Sequence, residues 1–197
     1  MAQHSGDTLM AYYTETQLQA FGFRHLGQDV KISDKASIYN ADQIEIGDHS
    51  RIDDFCVLSG RIRIGRYNHV TPMCLVAGGV PGVFMDDFCT LAYGVKVFSQ
   101  TDDYSGATMT NSLIPRKYKN EQFAAVTLRR QTIVGAGAIV MPGVEVAEGC
   151  AIGAMALVTK STLPWGIYAG VPARRTKDRL KGLLDLEQAF LKEEASR

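Results

Sequence analysis

The sequence predicts an all-β fold in which short strands wind around a narrow core. An aliphatic residue recurs at every sixth position, a small residue stands two positions before most of these aliphatic residues, and the period is broken in only two places. A fixed period of this kind is typical of a solenoid, in which each repeat stacks on the next. The periodic aliphatic residues are Ile46, Ile52, Leu58, Ile64, Val70 and Val76, then Met85, Leu91 and Val97, then Leu128, Val134, Val140, Val146, Ile152 and Val158.

The small positions account for all four cysteines of the chain. No two cysteines form a C-x-x-C pair, and a free buried cysteine behaves as a small apolar residue, so we interpret them as core residues. The small positions hold Ser50, Cys56, Cys74, Cys89, Val95, Thr132, Ala138, Val144, Cys150 and Ala156, with Ile62 and Asn68 as exceptions. Tight corners favour the glycines that follow periodic residues, namely Gly47, Gly65, Gly135 and Gly153.

The period is interrupted twice. Within residues 78–84 the register gains three residues, which predicts a small bulge at one corner of the coil. Between Val97 and Leu128 the period is lost, and the polar residues 98–127 are predicted to form an excursion loop. Loops of this length in a compact domain are usually functional or disordered.

Length and charge limit the classes of function. The chain has 197 residues, with 21 Lys and Arg against 21 Asp and Glu, which suits one domain with no net charge. This balance gives no general attraction to nucleic acids or anionic lipids. We find no apolar run long enough to span a membrane and no signal peptide, so we expect a cytoplasmic protein with neither nucleic acid nor membrane as a partner.

Residues 132–161, TIVGAGAIVMPGVEVAEGCAIGAMALVTKS, and residues 166–174, GIYAGVPAR, resemble the hexapeptide-repeat acyltransferases, in their galactoside and sugar-amine branch. The resemblance covers residues 28–178 and implies a left-handed parallel β-helix. Three hexads then form one triangular coil of 18 residues, so that residues 18 apart stack, as Ile46 under Ile64 and Val134 under Ile152.

The predicted organisation has three parts. Residues 1–27 form an amino-terminal cap, in which Thr14 and Gln17 fit a capping box at the start of a short helix. Residues 28–172 form the β-helix, and residues 173–197 form a helix whose leucines and Phe190 recur at helical spacing from residue 174 to 195. This helix is expected to lie on the prism or on a neighbouring subunit, or else to bind a partner.

The resemblance implies that acetyl-CoA binds in the carboxyl-terminal coils as the acyl donor. Ala136 and Ala154 match residues whose backbone amides face the pantetheine arm. Four residues match positions near the nucleotide phosphates, namely Thr159, Lys160, Arg174 and Lys177. Lysine and arginine suit that role because hydrogen bonds between cations and phosphate are strong.

Acyl transfer to an acceptor needs a group that removes a proton, and family members commonly use a histidine. Of the four histidines, His4 lies near the amino terminus, His25 precedes the predicted solenoid, and His49 is expected at an outward corner. His69 lies in IRIGRYNHVTP (residues 62–72), which resembles the coil that lines the acceptor. We therefore expect His69 to be the catalytic base.

Three residues one coil lower are expected near His69. They are Arg51, Asp53 and Asp54, of which a carboxylate would orient the imidazole and raise its basicity. Asp53 and Asp54 are accordingly expected in the acceptor site.

The excursion loop departs from the family pattern. Many members of the galactoside branch carry their catalytic histidine where this chain has Asp102. Either His69 replaces it, or Asp102 or Asp103 acts, or the acceptor loses its proton to water. An amine needs less base strength than a sugar hydroxyl, so the substitution favours N-acylation. Tyr104 is a further candidate for binding the acceptor.

The combination of SRIDDFCVLSG (residues 50–60), DDYSG (residues 102–106) and PWGIYAGVPA (residues 164–173) looks most like the branch that acetylates nucleotide-linked aminodideoxy sugars for O-antigen and related glycans. This implies an N-acetyltransferase that works as a homotrimer with coenzyme A and a nucleotide sugar. The alternatives are a saccharide O-acetyltransferase, an antibiotic acetyltransferase and a structural β-helix without activity. A zinc hydratase needs three ligands, whereas the repeats hold only His49 and His69, so no metal is expected.

Overall fold

The computed structural model describes residues 12–196 as a stack of parallel coils between two short helices. In chain order the strands are β1 (His25–Leu26), β2 (Lys31–Ile32), β3 (Ser37–Tyr39), β4 (Ile44–Ile46), β5 (Arg51–Ile52), β6 (Val57–Ile64), β7 (His69–Val70), β8 (Leu75–Met85), β9 (Thr90–Leu91), β10 (Lys96–Phe98), β11 (Gln100–Thr101), β12 (Gln122–Phe123), β13 (Val126–Leu128), β14 (Ile133–Val134), β15 (Ile139–Val140), β16 (Glu145–Val146), β17 (Ala151–Ile152), β18 (Leu157–Val158), β19 (Gly166–Ala169) and β20 (Arg174–Asp178). The α-helices are α1 (Glu15–Ala20) and α2 (Leu183–Glu194).

Parallel pairing arranges these strands in three faces. The first face contains β2, β5, β7, β9, β14, β17 and β19. The second face contains β3, the first half of β6 and of β8, β10, β15 and β18, and the third face contains β1, β4, the second half of β6 and of β8, β13 and β16. The expected stacking is confirmed, since Ile46 pairs with Ile64 and Val134 with Ile152.

The core contains all the residues that the six-residue period predicts, together with further buried residues such as Ile32, Ile44 and Val126. All fifteen periodic aliphatic residues are at most 3% exposed, and every small position between Ser50 and Ala156 is buried as well. The four cysteines are free and buried. Burial raises the pKa of the Cys89 thiol to about 12, which keeps it protonated at neutral pH. Their interpretation as core residues is confirmed.

The corners of the coil place bulky residues in the left-handed region of backbone conformation. Residues with φ between 55° and 67° directly precede inward residues at these corners, for example His49, Phe55, Tyr67, Met73 and Phe88. The glycines that follow the periodic residues serve a different purpose. A Cβ on Gly47 would lie 2.7 Å from the backbone carbon of Gly65 in the next coil. Close stacking of coils, rather than a positive φ, therefore requires glycine there.

Both interruptions of the period lie at the same corner, between the second and third faces, which we call the loop corner. In β8 the register against β6 shifts around Gly60, so residues 78–82 bulge outward as predicted. The excursion loop occupies residues 99–125, slightly less than predicted, because Phe98 and Val126 still belong to strands. Its base is closed by antiparallel pairing of β11 with β12.

The amino-terminal segment confirms one prediction and corrects another. Thr14 and Gln17 form the capping box of α1. His25 was expected before the solenoid, but it lies in β1 and pairs with Glu45, because the third face continues one strand further toward the amino terminus. His4 lies outside the described residues.

The carboxyl-terminal prediction was wrong for its first residues. Residues 174–178 form β20, which pairs antiparallel with β19, because the edge of the last coil offers unpaired backbone groups. The helix begins only at Leu183 and lies on the prism, between the third and first faces. There the Phe190 ring packs edge-on against Tyr67 at 5.1 Å, and Glu187 pairs with Arg130. Neither α-helix described here is long and apolar enough to cross a membrane.

Candidate active site

An imidazole and a carboxylate meet on the first face. His69 lies in β7 next to the inward Val70, so its side chain points away from the core. Asp53 directly follows β5, one coil lower. The His69 Nε2 and the Asp53 Oδ2 are 2.8 Å apart, which is hydrogen-bonding distance. The structure thus brings together the predicted base and one of the two carboxylates expected to orient it.

Two further side chains hold the Asp53 carboxylate in place. The Arg51 Nε donates to the Asp53 Oδ1 at 2.5 Å, and the Tyr12 hydroxyl donates to the same oxygen at 3.4 Å. The Asp53 side chain is only 8% exposed. Burial raises the pKa of Tyr12, so its hydroxyl remains a donor, and the hydrogen bond to Asp53 raises the pKa of Arg51. Asp53 is therefore fixed toward His69 by groups that stay protonated.

The other expected carboxylate, Asp54, takes part in a different set of contacts. Its Oδ1 accepts from the Ser33 hydroxyl at 2.6 Å, and its Oδ2 accepts from the Lys35 ammonium at 3.0 Å. These two hydrogen bonds lower the pKa of Asp54. The side chains of these two neighbouring residues point in different directions after β5. Asp54 therefore links two coils, while Asp53 faces the imidazole.

The imidazole of His69 is suited to accept a proton. Its side chain is 41% exposed, and among residues 12–196 its only side-chain hydrogen bond is the one through Nε2. If Nε2 donates its proton to Asp53, the neutral ring carries a lone pair on Nδ1. Asp53 then stabilises the imidazolium that forms when Nδ1 takes up a proton.

The acidic residues of the excursion loop lie elsewhere in the chain. The Asp103 carboxylate accepts from the Ser105 backbone N–H at 2.8 Å and from the Thr108 hydroxyl at 2.9 Å, and hydrogen bonds from the Ser105 side chain and backbone and from Thr108 lower its pKa. Asp102 makes no hydrogen bond within the described residues, and Tyr104 is 89% exposed. No described contact joins any of the three to His69, so within one chain the predicted catalytic residues form two groups.

The predicted coenzyme A residues lie in the last coils. The backbone N–H groups of Ala136 and Ala154 donate no hydrogen bond within the part of the chain that the structure describes, and Met155 N donates to Ala136 O across adjacent coils. Two donors separated by one coil, roughly 4.8 Å, are thus free to meet a pantetheine arm.

Two of the four predicted phosphate contacts meet in one cavity. Lys160 and Arg174 line a space of about 240 Å³ beside Ser161 and Arg175. Thr159 is exposed next to this cavity, and Lys177 lies in β20 opposite Ile167, outside its lining. Arg175, which the sequence analysis did not single out, donates to the carbonyls of Leu163, Pro164 and Trp165, so it holds β20 to the preceding loop.

Tyr12 is the residue of this site that the sequence analysis missed. It lies outside the repeats, and only its bridge to Ser33 brings it beside Asp53. Among the described residues, no group of three or more His, Cys, Asp and Glu is arranged to hold a metal ion.

Comparisons with known proteins assign the chain to a family. No protein-family model matches it. A dTDP-4-amino-4,6-dideoxy-D-glucose acyltransferase of Escherichia coli is 40% identical over 184 residues, which are 92% of this chain and 95% of that protein. AntD, an N-acyltransferase from Bacillus cereus, was solved with dTDP and 3-hydroxybutyryl-CoA; it is 41% identical with a TM-score of 0.93, and the match covers 94% of this chain and 98% of AntD.

A variant of AntD was solved with dTDP-4-amino-4,6-dideoxyglucose and coenzyme A. A hexapeptide-repeat acetyltransferase from Vibrio cholerae is similar in fold alone, with 16% identity, a TM-score of 0.55, and coverage of 84% of this chain and 80% of the other. Together with the outward histidine, the stacked hexads define the class as hexapeptide-repeat acyltransferases, with the left-handed β-helix that was predicted. Within this class the chain belongs to the family of the dTDP-4-amino-4,6-dideoxy-D-glucose acyltransferases.

The two neighbouring aspartates are expected to respond differently to the same substitution. Asp53→Asn removes the charge that stabilises the imidazolium, so kcat for acyl transfer should fall by about 100-fold. Asp54→Asn alters only the contacts with Ser33 and Lys35, and kcat should stay within about threefold of wild type. Steady-state kinetics of both variants, with thermal unfolding as a control for folding, test this. Equal losses in the two variants would contradict the assignment of Asp53.

Proposed function

We propose that the enzyme transfers an acetyl group from acetyl-CoA to the sugar amine of dTDP-4-amino-4,6-dideoxyglucose, in the cytoplasm and for O-antigen or related glycan synthesis. The observation that carries the proposal is the His69–Asp53 pair on the first face of an acyltransferase of this family. The Escherichia coli relative is named for acylating this nucleotide sugar, and a variant of AntD was solved with it. Acetyl is the proposed acyl group. AntD was solved with 3-hydroxybutyryl-CoA, so this thioester is the alternative donor to compare with acetyl-CoA in the assay.

In the proposed reaction the amine nitrogen attacks the thioester carbonyl. The N–C bond forms, His69 takes the proton that the nitrogen loses, and the C–S bond then breaks. The imidazolium returns its proton to the departing thiolate of coenzyme A, so the enzyme ends unchanged. Asp53 offsets the positive charge on His69 between these two proton transfers. Asp102 or Asp103, together with Tyr104, is assigned to holding the ammonium or a hydroxyl of the acceptor. An ammonium first releases one proton to water, so that the neutral amine is the nucleophile.

We also infer a homotrimer in which two chains complete each site. His69 lies on the first face, whereas Asp102 and Asp103 lie at the loop corner, beyond the second face. The corner between the first and second faces, which we call the open corner, carries a column of exposed apolar side chains. These are Phe55, Met73, Tyr93 and Met155, between 57% and 72% exposed. A second copy that covers this column would bring its loop toward the first face of its neighbour.

The acceptor is tested by release of the coenzyme A thiol from acetyl-CoA across a panel of compounds. We expect turnover with dTDP-4-amino-4,6-dideoxyglucose and none with neutral sugars or chloramphenicol. His69→Ala should lower kcat by about 10²- to 10⁴-fold, since a general base contributes that much. His49→Ala is the matched control, because His49 stacks on Tyr67 at 4.8 Å, away from Asp53. Wild-type turnover by His69→Ala would remove His69 from the mechanism.

The donor site is tested through the phosphates of coenzyme A. Lys160→Met and Arg174→Met should each raise KM for acetyl-CoA by about tenfold with little change in kcat, because a charge-assisted hydrogen bond contributes ~1.5 kcal/mol or more. The same variants should match wild type with an acetylated pantetheine that lacks the nucleotide. Lys192→Met, an exposed lysine of α2, is the control. An unchanged KM in both variants would place the phosphates elsewhere.

The shared site is tested by charging the open corner. Met73→Lys combined with Met155→Lys should convert trimers to monomers in sedimentation velocity and abolish acyl transfer, because burying two unpaired ammonium groups in an interface is costly. Leu186→Lys is the control, since Leu186 is 72% exposed on α2, away from the open corner. Fully active monomers would show that one chain holds a complete site.

A further inference from the structure

The two interruptions of the hexad period meet in one cavity at the loop corner. The cavity measures about 510 Å³, a size typical of small-molecule sites. The mechanism described above uses none of its residues. The bulge contributes Val80 and Pro81, and the excursion loop contributes Ser112, Ile114, Arg116, Lys119, Glu121 and Phe123.

A buried ion pair lines this cavity. The Lys119 Nζ lies 3.2 Å from the Glu121 Oε1, and the two side chains are only 6% and 17% exposed. Taking such a pair out of water costs more than its own attraction usually returns. A lysine ammonium has three N–H donors and Glu121 is its one described ionic partner. The pair therefore presents a hydrogen-bond donor beside an acceptor to anything that enters the cavity.

The remaining walls suit a flat ring followed by negative charge. Val80, Pro81 and Phe123 form the apolar part of the lining together with Ile114, and Val80 is 81% exposed. The Arg116 guanidinium lies 5.3 Å from the centre of the Phe123 ring, where a cation–π contact holds it in the lining. The fork of N–H donors on a guanidinium matches the oxygens of a phosphate group, so Arg116 is suited to bind one.

We propose that this cavity recognises the thymine base of the nucleotide sugar, and that Lys119 and Glu121 are the residues that select this base. Lys119 donates to a ring carbonyl, Glu121 accepts the ring N3–H, the ring packs against Pro81 and Phe123, and Arg116 faces the diphosphate. Cytosine presents an acceptor at N3, so Glu121 repels it. The assignment rests on the proposed function and adds the residues that select the nucleotide.

The test is calorimetric binding of dTDP and of dCDP to the full-length protein with coenzyme A present. Wild type should bind dTDP at least about tenfold more tightly than dCDP, the effect of one charged hydrogen bond. Lys119→Met should weaken dTDP binding by about 10- to 100-fold. Glu121→Gln should reduce the preference for dTDP over dCDP by about tenfold or more, because an amide donates to the cytosine N3. Lys117→Met, whose ammonium lies over Tyr118 outside the cavity, should match wild type.

The preference between the two nucleotides separates recognition from loop folding. If Glu121→Gln weakens dTDP and dCDP equally, the pair supports the loop and the assignment is wrong. If wild type acylates the amino sugar but both variants keep its nucleotide preference, the base binds elsewhere and the proposed function stands. If the variants change nucleotide binding as expected while wild type acylates no amino sugar, the proposed function fails and the nucleotide site stands.

Discussion

Stacking of inward aliphatic side chains between successive coils is the interaction on which the rest of the protein depends. Each periodic residue contacts its counterparts above and below, and full burial of such a side chain contributes about 1.5–3 kcal/mol. A slip of one residue would turn a whole row of these side chains outward, so the register is strongly determined. Backbone hydrogen bonds then hold adjacent coils at the spacing of a parallel sheet.

This register places the outward side chains as firmly as the inward ones. Asp53 and His69 meet because Ile52 pairs with Val70, and neither needs a long loop to reach the other. The excursion loop is held differently, through its own hydrogen bonds, such as those that Asp103 accepts, and through the hairpin of β11 and β12. The rigid coil carries the proposed proton transfer, and the loop carries the residues that we assign to the acceptor.

The sequence predicted the parts of the molecule that local patterning determines. The six-residue period identified fifteen aliphatic residues that are all buried, and the capping box at Thr14 identified the start of α1. The sequence could not show which of Asp53 and Asp54 faces His69, because that depends on the direction of the backbone after β5. It also missed β20, whose pairing with β19 depends on a free sheet edge rather than on the propensity of residues 174–178.

Contacts between residues far apart in the chain could not be predicted from the sequence either. Tyr12 reaches Asp53 only through the bridge to Ser33, and Lys119 meets Glu121 inside a loop without a period. Side chains of this kind carry no recurring signal, since a single tyrosine or an alternating pair of charges is common on any surface. Their placement comes from the tertiary fold, which is why the sequence predicted both interruptions of the period but not that they meet in one cavity.

The antiparallel strand β20 has a consequence for assembly. A stack of parallel coils ends in strands with unpaired backbone N–H and C=O groups. Identical molecules could pair through these groups and form fibres. The chain reverses direction at this point and lays down a fully exposed strand with Arg174, Arg175 and Lys177, whose positive charges repel a second copy. The segment that opposes head-to-tail polymerisation thus also contains Arg174 and Lys177, which we assign to the phosphates of the acyl donor.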